Sequence, residues 1–474
     1  MTNKTITNRT SNEHNIIKLT DSYKVTHFRQ YPPNTTHVYS YFESRGGRWP
    51  EVTFFGLQYI LKHYFAGVQV TYEKIAEADE YFKKHFGNNA IFNEAGWKHI
   101  VNEHGGRLPI SIKAIPEGTT VPVSNVLMTF ENTDPKCWWL PNYLETLAVQ
   151  VWYPTTVCTN SRMSRKLILR HLEETGDPNL VDFKLHDFGF RGSTSVESAG
   201  IGGAAHLVSF KGTDTLAAID IASNYYHEDM AGFSIPAAEH STITAWGKEY
   251  ESYAYENMLK QFSTGLVAVV SDSYDVFNAC MNIWGKKLRA KVMGRDGTLV
   301  IRPDSGHPPE IVVQVLDILG EAFGCTVNKR GYRVLDPHVR VIQGDGIDHD
   351  MIGSVLEAMK NANWSADNIA FGSGGGLLQK VNRDSQKFAF KCSAIRVETS
   401  CVGARWLNVS KDPVTDHQKK SKAGRLSLVR DMDGSFKTVQ ASDNVLPDEL
   451  KEVFRDGSLL VDETFSQIRE RAKT

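Results

Sequence analysis

Between Phe183 and Gly376, short apolar runs alternate with segments in which apolar residues recur every three or four positions. Each run ends in a small polar cluster. The design occurs seven times, with clusters at Phe188-Gly189-Phe190-Arg191, Lys211-Gly212-Thr213-Asp214, Glu239-His240, Ser271-Asp272-Ser273, Arg302-Pro303-Asp304-Ser305-Gly306, Gly344-Asp345-Gly346 and Gly372-Ser373-Gly374-Gly375-Gly376. Strands alternating with helices build a parallel sheet. If that sheet closes into a barrel, the loops after the strands share one face, and that face carries the active site. The pattern therefore brings Asp, Arg, one His and a glycine loop together, a layout suited to a phosphorylated, anionic substrate.

Outside this region the period changes. Val38–Phe42 and Val52–Phe55 read as strands joined at Gly46-Gly47, and Ile110–Ile115 and Val121–Phe130 as strands around Pro116-Glu117-Gly118. Leu57–Ala66 and Tyr72–Phe86 have helical spacing, and Trp138–Leu172 reads as a long helical region broken near Pro154. Further helices are expected at Thr215–Tyr226, Thr242–Gln261, Asp275–Arg289, Pro309–Phe323 and Asp350–Asn361. After Asp384 strands return at Phe388–Ser393, Arg396–Glu398 and Leu426–Arg430, before a final helix at Phe465–Ala472. The expected organisation is a disordered tail (1–15), a barrel (151–384) and a mainly antiparallel α+β domain built from both chain ends (16–150 with 385–474).

Composition adds limits. At 474 residues, 41% hydrophobic and 23% charged, the chain has ordinary globular proportions. A net charge of −2 gives no global pull toward nucleic acid or anionic membrane, so anion binding must be local. No run approaches a membrane span, and the polar N-terminus has no signal-peptide core. Cys137, Cys158, Cys280, Cys325, Cys392 and Cys401 show neither C-x-x-C nor zinc-site spacing and read as buried thiols of a reducing, cytoplasmic compartment.

The sharpest motif is Ile369-Ala370-Phe371-Gly372-Ser373-Gly374-Gly375-Gly376, an apolar run entering a glycine loop that opens a helix. Backbone N–H groups unobstructed by side chains can converge on a phosphate there. Its spacing fits neither a Walker A loop nor the dinucleotide fingerprint. Arg302 suits bidentate phosphate contact. Asp272, Asp304 and Asp345 each follow a strand and can orient ribose hydroxyls or share Mg²⁺, although a lone Asp at such a point is most often a helix cap. His240 can act as nucleophile or proton carrier, its ring oriented by Glu239 or another carboxylate, or it can be a structural histidine at a helix start. Phe188 can stack on a planar heterocycle or pack in the core. Lys411, Lys419, Lys420, Lys422 and Arg425 form a basic stretch that is either a solvated loop or a set of charges over polyphosphate.

Many ordered stretches carry a resemblance. They include Thr20-Asp21-Ser22-Tyr23-Lys24-Val25-Thr26-His27, Leu185-His186-Asp187-Phe188-Gly189, Phe210-Lys211-Gly212-Thr213-Asp214-Thr215, Pro236-Ala237-Ala238-Glu239-His240-Ser241-Thr242, Ile301-Arg302-Pro303-Asp304-Ser305-Gly306 and the glycine loop with Leu377-Leu378-Gln379-Lys380. Along essentially its whole length the chain resembles the nicotinamide phosphoribosyltransferases of the type II phosphoribosyltransferase family. The resemblance implies an irregular (β/α) barrel with a second, mainly antiparallel domain. It also implies a homodimer with shared active sites. The implied reaction makes nicotinamide mononucleotide and pyrophosphate from nicotinamide and phosphoribosyl pyrophosphate, with Mg²⁺ as cofactor and ATP as co-substrate.

The same resemblance assigns roles. His240 is the residue phosphorylated by ATP, with Glu239, Asp272 and Asp304 in the catalytic set and Asp272 and Asp304 as metal ligands. Phe188 and Tyr23 sandwich the nicotinamide, Tyr23 coming from the other subunit. Asp214 takes the carboxamide. Arg191, Arg302 and Ser234 also bind substrate, and Gly344, Asp345, Gly374, Gly375 and Arg383 hold the ribose phosphate. Arg45, Lys391, Lys411 and Lys419 reach pyrophosphate or ATP. Phe190 stands where the family pattern suggests Tyr, Ile235 where it suggests Val, and the loop after Arg45 is short. The alternatives are a nicotinate or quinolinate enzyme of the same superfamily, a phosphosugar-binding module, or a signalling protein that keeps only the fold.

Overall fold

The computed structural model describes residues 14–87, 91–399, 403–415 and 420–473. The chain forms two units, one from residues 1–156 with 383–474 and one from 157–382. Residues 1–13 of the expected tail, with Cys401 and Lys419, lie outside the described residues. The rest of that tail is not loose: Asn15 is buried, caps the turn Ile16–Lys18, and donates to the Lys74 carbonyl at 2.8 Å.

The first unit is built on a seven-stranded sheet in the order Gly403–Asn408, Phe388–Thr399, Thr35–Ser44, Val126–Asn132, Ile110–Ala114, Lys451–Arg455, Ser458–Leu459. Every pairing in it is antiparallel. Three strands from the N-terminal part form its centre and two from the C-terminal part flank them on each side, so neither end can complete this sheet alone. The strand Thr35–Ser44 places Tyr41 opposite Lys391 on one side and Thr129 on the other. Glu51–Thr53 leaves this sheet and pairs with Thr120–Pro122 instead. The two strands expected at 388–393 and 396–398 are one strand, Phe388–Thr399.

The second unit holds a six-stranded parallel sheet in the order Gly212–Thr213, Leu185–Asp187, Ile369–Ser373, Val339–Gln343, Leu299–Arg302, Val267–Val270. Its edges are bridged by one further segment. Phe233 pairs in parallel with Gly212 at one edge, and Ala237 with Ala268 at the other. The expected barrel is thus present, closed by an irregular segment that is too short to count as a strand. Alternation along the strands sorts their side chains. Leu299, Ile301, Val339, Val341, Ile369 and Phe371 belong to the main core with the helices, whereas Ala268, Val300 and Ile342 form a small separate cluster with Phe188 and Ile235.

Some expected helices end elsewhere for local reasons. Pro154 does not break a helix. It lies in the first turn of Trp152–Thr175, where its missing N–H is not needed, and the irregularity comes earlier, in short turns between Leu140 and Val151. The segment 242–261 is not one helix: Gly247 at φ +83° separates His240–Thr244 from Lys248–Tyr250 and Glu251–Gln261. The segment 275–289 is a turn, Val276–Asn278, running into a π-helical stretch, Ala279–Lys287.

Candidate active site

The candidate residues of the second unit lie on the loops that follow the parallel strands. Phe188 follows Leu185–Asp187, and its backbone N–H donates to the Ser373 carbonyl at 2.9 Å, which ties it to the strand leading into the glycine loop. That loop contains glycines of two kinds. A Cβ on Gly372 would lie 1.9 Å from the Phe188 ring, and one on Gly376 would lie 2.6 Å from the Ile347 carbonyl oxygen, so both are needed for packing. A Cβ on Gly375 would meet nothing within 4 Å, and one on Gly374 only the Phe188 carbonyl at 3.4 Å. Among the described residues the N–H groups of Gly374, Gly375 and Gly376 donate to no protein acceptor. The helix that follows is a single turn, Gly375–Leu378, shorter than the sequence suggested, so anion affinity must come from these N–H groups more than from a helix dipole.

His240 opens the short helix His240–Thr244 and is about half exposed. Its Nε2 lies 3.0 Å from Asp272 Oδ1, while the Asp272 side chain is 6% exposed. Asp272 is therefore the orienting carboxylate. Glu239, which the sequence offered for that task, accepts a hydrogen bond from the Ser241 hydroxyl instead. With Nε2 engaged, Nδ1 of His240 is the nitrogen left for chemistry. The strand end bearing Asp272 is anchored by Ser271, whose N–H donates to the Arg302 carbonyl at 2.9 Å and whose hydroxyl accepts from Trp284 Nε1 at 3.1 Å.

Asp304 adopts φ +55°, a region that a non-glycine residue rarely occupies and that recurs at functional sites. Burial pushes its carboxyl above the usual Asp range. Arg302, with Nη2 3.4 Å from Asp304 Oδ2, partly offsets this, while Asp272 and Asp345 add repulsion. A divalent cation would relieve that concentration of negative charge, so the donor set fits Mg²⁺. Two buried polar atoms here lack a protein partner, Nε of Arg302 and Oε1 of Gln343. Gln343 was not singled out from the sequence. The available signal was a polar residue ending the strand Val339–Gln343, directly before Gly344.

Asp214 is exposed at the end of Gly212–Thr213, next to the strand that carries Phe188. Its N–H donates to the Asp187 carbonyl at 2.9 Å, and one carboxylate oxygen, Oδ1, accepts the Ser234 hydroxyl. Oδ2 remains for a ligand. Arg191 lies exposed in the turn Phe190–Gly192. Asp187, fully buried beneath this rim, has a carboxyl raised by burial to about 6.

The described cations expected to reach pyrophosphate or ATP belong to the first unit. Burial lowers the pKa of the Lys391 ammonium; the nearby Glu145 carboxylate opposes this, and the positive charges of Lys411, Arg45 and Arg383 lower it further. Arg45 is held by Glu43 at 2.9 Å, and the nearly buried Glu43 also takes Lys422. The rest of the basic stretch is paired off, Lys420 with Asp412 and Arg425 with Glu131, each at 2.9 Å. Tyr23, on the turn Ser22–Arg29, is 60% exposed and meets His27 edge-on at 4.8 Å.

Residues 183–458 match the profile of the nicotinate phosphoribosyltransferase (NAPRTase) family. The chain belongs to that family. Residues 15–112 match the N-terminal domain of nicotinamide phosphoribosyltransferase. Within the family, the chain is 50% identical over 470 residues to the nicotinamide phosphoribosyltransferase of Xanthomonas campestris, covering 97% of this chain and 98% of that one. It is 31% identical to the Acinetobacter baylyi protein of the same name, over 96% and 97% of the two chains. The fold is also that of two solved structures at 14% identity. One is a nicotinate-nucleotide pyrophosphorylase from Pyrococcus furiosus (TM-score 0.59, 98% and 96% of the two chains), and the other is human nicotinic acid phosphoribosyltransferase (TM-score 0.55, 96% and 93%).

Proposed function

We propose that this protein transfers the phosphoribosyl group of 5-phosphoribosyl 1-pyrophosphate to nicotinamide, giving nicotinamide mononucleotide and pyrophosphate for NAD biosynthesis, with ATP hydrolysis coupled through His240. Near-full-length similarity to nicotinamide phosphoribosyltransferases supports the reaction class. The observation that carries the choice of substrate is the Asp214–Ser234 pair. One oxygen of Asp214 is occupied by Ser234, and the other can accept a carboxamide N–H. A nicotinate carboxylate at that point would face a like charge.

In the reaction the pyridine nitrogen forms a bond to the anomeric carbon of the ribose while the carbon–oxygen bond to pyrophosphate breaks. Pyrophosphate leaves with the electron pair. Phe188, held against Gly372, orients the ring. The free N–H groups of Gly374, Gly375 and Gly376 hold the ribose 5-phosphate, and Arg302 and Asp304 face phosphate and ribose. Asp272 and Asp304 would hold Mg²⁺ with the substrate phosphates, and the ion would supply electrostatic stabilisation of the leaving group. For coupling, Nδ1 of His240 attacks the γ-phosphorus of ATP and ADP departs. Asp272 stabilises the positive charge that develops on the ring through Nε2–H. Water later cleaves the phosphohistidine.

Arg45, Lys391, Lys411, Lys419 and Arg383 serve pyrophosphate or ATP phosphates. In this reading the active sites are shared in a homodimer, with the exposed ring of Tyr23 stacking on nicotinamide held by a second copy. We place the reaction in the cytoplasm; the free thiols of Cys137, Cys158, Cys280, Cys325 and Cys392 suit a reducing compartment, and no described helix is long and apolar enough to cross a membrane. The deciding assay is product formation from nicotinamide and from nicotinate, each with and without ATP. Nicotinamide turnover stimulated by ATP is expected; preferential use of nicotinate would reassign the substrate.

A further inference from the structure

In the first unit, four side chains of different chemistry meet. His99 and His104 lie on the helix Glu94–His104, Asp134 follows the strand Val126–Asn132, and Cys137 ends the turn Pro135–Cys137. One ligand atom from each lies within 4.8 Å of all the others. We propose that His99, His104, Asp134 and Cys137 form a binding site for a zinc-class divalent transition metal that ties this helix to the end of the strand.

The arrangement is built for more than a pair of hydrogen bonds. Nε2 of His99 and Nε2 of His104 both approach the same oxygen, Asp134 Oδ2, at 2.6 and 2.7 Å. The other oxygen, Oδ1, is engaged by the Lys136 N–H at 2.8 Å, which fixes the direction of the carboxylate. Asn132 holds the Asp134 carbonyl at 2.8 Å, and the Cys137 N–H donates to that carbonyl at 2.9 Å. The backbone therefore delivers carboxylate and thiol together. The rings of His99 and His104 are 5.8 Å apart and steeply inclined to each other, and it is their Nε2 atoms that converge on Asp134 Oδ2. The fully buried Cys137 thiol adds a fourth ligand atom within 4.8 Å of the other three.

The donor set matches the metal. Two imidazoles, a carboxylate and a thiolate suit tetrahedral Zn²⁺, with bonds of about 2.0–2.3 Å and hence ligand atoms roughly 3.4–3.7 Å apart. The two His–Asp separations need to open by about 1 Å, a side-chain adjustment. Charge also balances: one thiolate and one carboxylate neutralise a divalent ion, so a neutral centre forms in a largely buried place. On binding, the imidazole hydrogens move from Nε2 to Nδ1, the Cys137 thiol gives its proton to solvent, and nothing is oxidised or reduced. A pocket of about 350 Å³ lined by Phe28, Asn93, His99, Lys136 and Trp138 gives a route in from solvent. The sequence concealed the site because two ligands are five apart on a helix and two are three apart in a turn, a pattern outside the common zinc spacings.

The test uses the full chain, stripped with chelator and titrated with Co²⁺ as the probe. One Co²⁺ per chain should bind with the strong visible absorption of a tetrahedral centre and a thiolate-to-cobalt charge-transfer band. Stoichiometric Zn²⁺ should abolish both signals, and Zn²⁺ should raise Tm. Cys137→Ser should lose the charge-transfer band, and His104→Gln should weaken Co²⁺ binding by more than the roughly 10–100-fold that an outer-shell change costs. A stripped wild-type chain with no charge-transfer band overturns the proposal, even if a variant fails to fold. So does a band that survives in Cys137→Ser. A weak octahedral spectrum alone, as oxygen ligands such as Asp272 and Asp304 would give, also overturns it.

Discussion

Two substitutions in the glycine loop should separate packing from phosphate binding. In Gly375→Val the new Cβ enters open space, and the backbone there is not in the left-handed region. Loss of glycine's freedom in the unfolded chain even favours the variant by a few tenths of a kcal/mol up to about 1 kcal/mol. The side chain does occupy the volume in front of the free N–H groups of the loop. Losing one N–H contact to a charged phosphate costs about 1.5–3 kcal/mol. That raises the KM for phosphoribosyl pyrophosphate about 10- to 150-fold, with Tm no lower than that of the wild type. Gly372→Ala differs. Its Cβ would lie 1.9 and 2.1 Å from two carbons of the Phe188 ring, which must retreat by about 1.5 Å to reach normal contact. Such overpacking costs about 1–3 kcal/mol, or roughly 2–4 °C in Tm per kcal/mol for a unit of this size. The displaced ring loses stacking worth about 0.5–1.5 kcal/mol, so KM for nicotinamide should rise roughly 2- to 12-fold. The assay is initial-rate kinetics in both substrates beside thermal melts of each variant. The reasoning fails if Gly375→Val leaves the phosphoribosyl pyrophosphate KM unchanged, or if Gly372→Ala keeps its Tm and affects only that KM.

Other predictions concern the rim and the buried acid beneath it. His240→Ala should abolish ATP hydrolysis and ATP stimulation while some uncoupled synthesis survives; ATP stimulation in the variant would remove His240 as phosphoryl acceptor. Asp214→Asn should narrow an expected preference for nicotinamide of about 10²-fold, read as the ratio of kcat/KM for nicotinamide and nicotinate, because the repelled charge is gone. An unmoved ratio would place selectivity in Arg191 or the Phe188 pocket. Asp187 has its carboxyl raised by burial to about 6 from an ordinary 3.8, so the native state favours the protonated form. Its contribution is fully present below about pH 4 and is lost as pH rises to about 6, up to roughly 3 kcal/mol; Asp187→Asn, which can still accept the Gly189 N–H, should flatten that part of the urea-midpoint profile. A profile as steep as wild type would show that Asp187 does not carry it. Mixing inactive Tyr23→Ala and inactive Asp214→Ala chains with subunit exchange should restore partial activity, and verified heterodimers that stay inactive would exclude shared sites.

The parts legible in the sequence are those written locally. Tyr72–Phe86 runs between the bounds the spacing indicated, because Thr71 caps its start, Gly87 ends it in a left-handed turn, and Ile75, Ala78 and Phe82 bury one face. The last helix, Phe465–Ala472, is equally local, with a capping box between Thr464 and Gln467. The clusters at Phe188, Asp272, Asp304 and Asp345 follow barrel strands because each apolar run has to stop where the sheet meets solvent, whereas Glu239-His240 follows an irregular segment and Lys211–Asp214 contains its own two-residue strand. The segment 242–261 misled because its apolar period continues through Gly247, whose positive φ is a backbone fact that periodicity does not register.

Amphipathic period, capping residues and glycine placement act over a few residues, and they set the strand–helix alternation, most element positions and the rim on which the chemistry lies. Which groups touch was decided only in three dimensions. That Asp272 rather than neighbouring Glu239 holds His240, that Tyr41 lies opposite Lys391, and that Phe233 and Ala237 bridge the two edges of the parallel sheet all depend on strand pairings between distant segments. The meeting of His99, His104, Asp134 and Cys137 has the same origin. Such pairings are selected by the summed burial and hydrogen bonding of whole sheets, to which no short window of sequence contributes enough to fix the outcome.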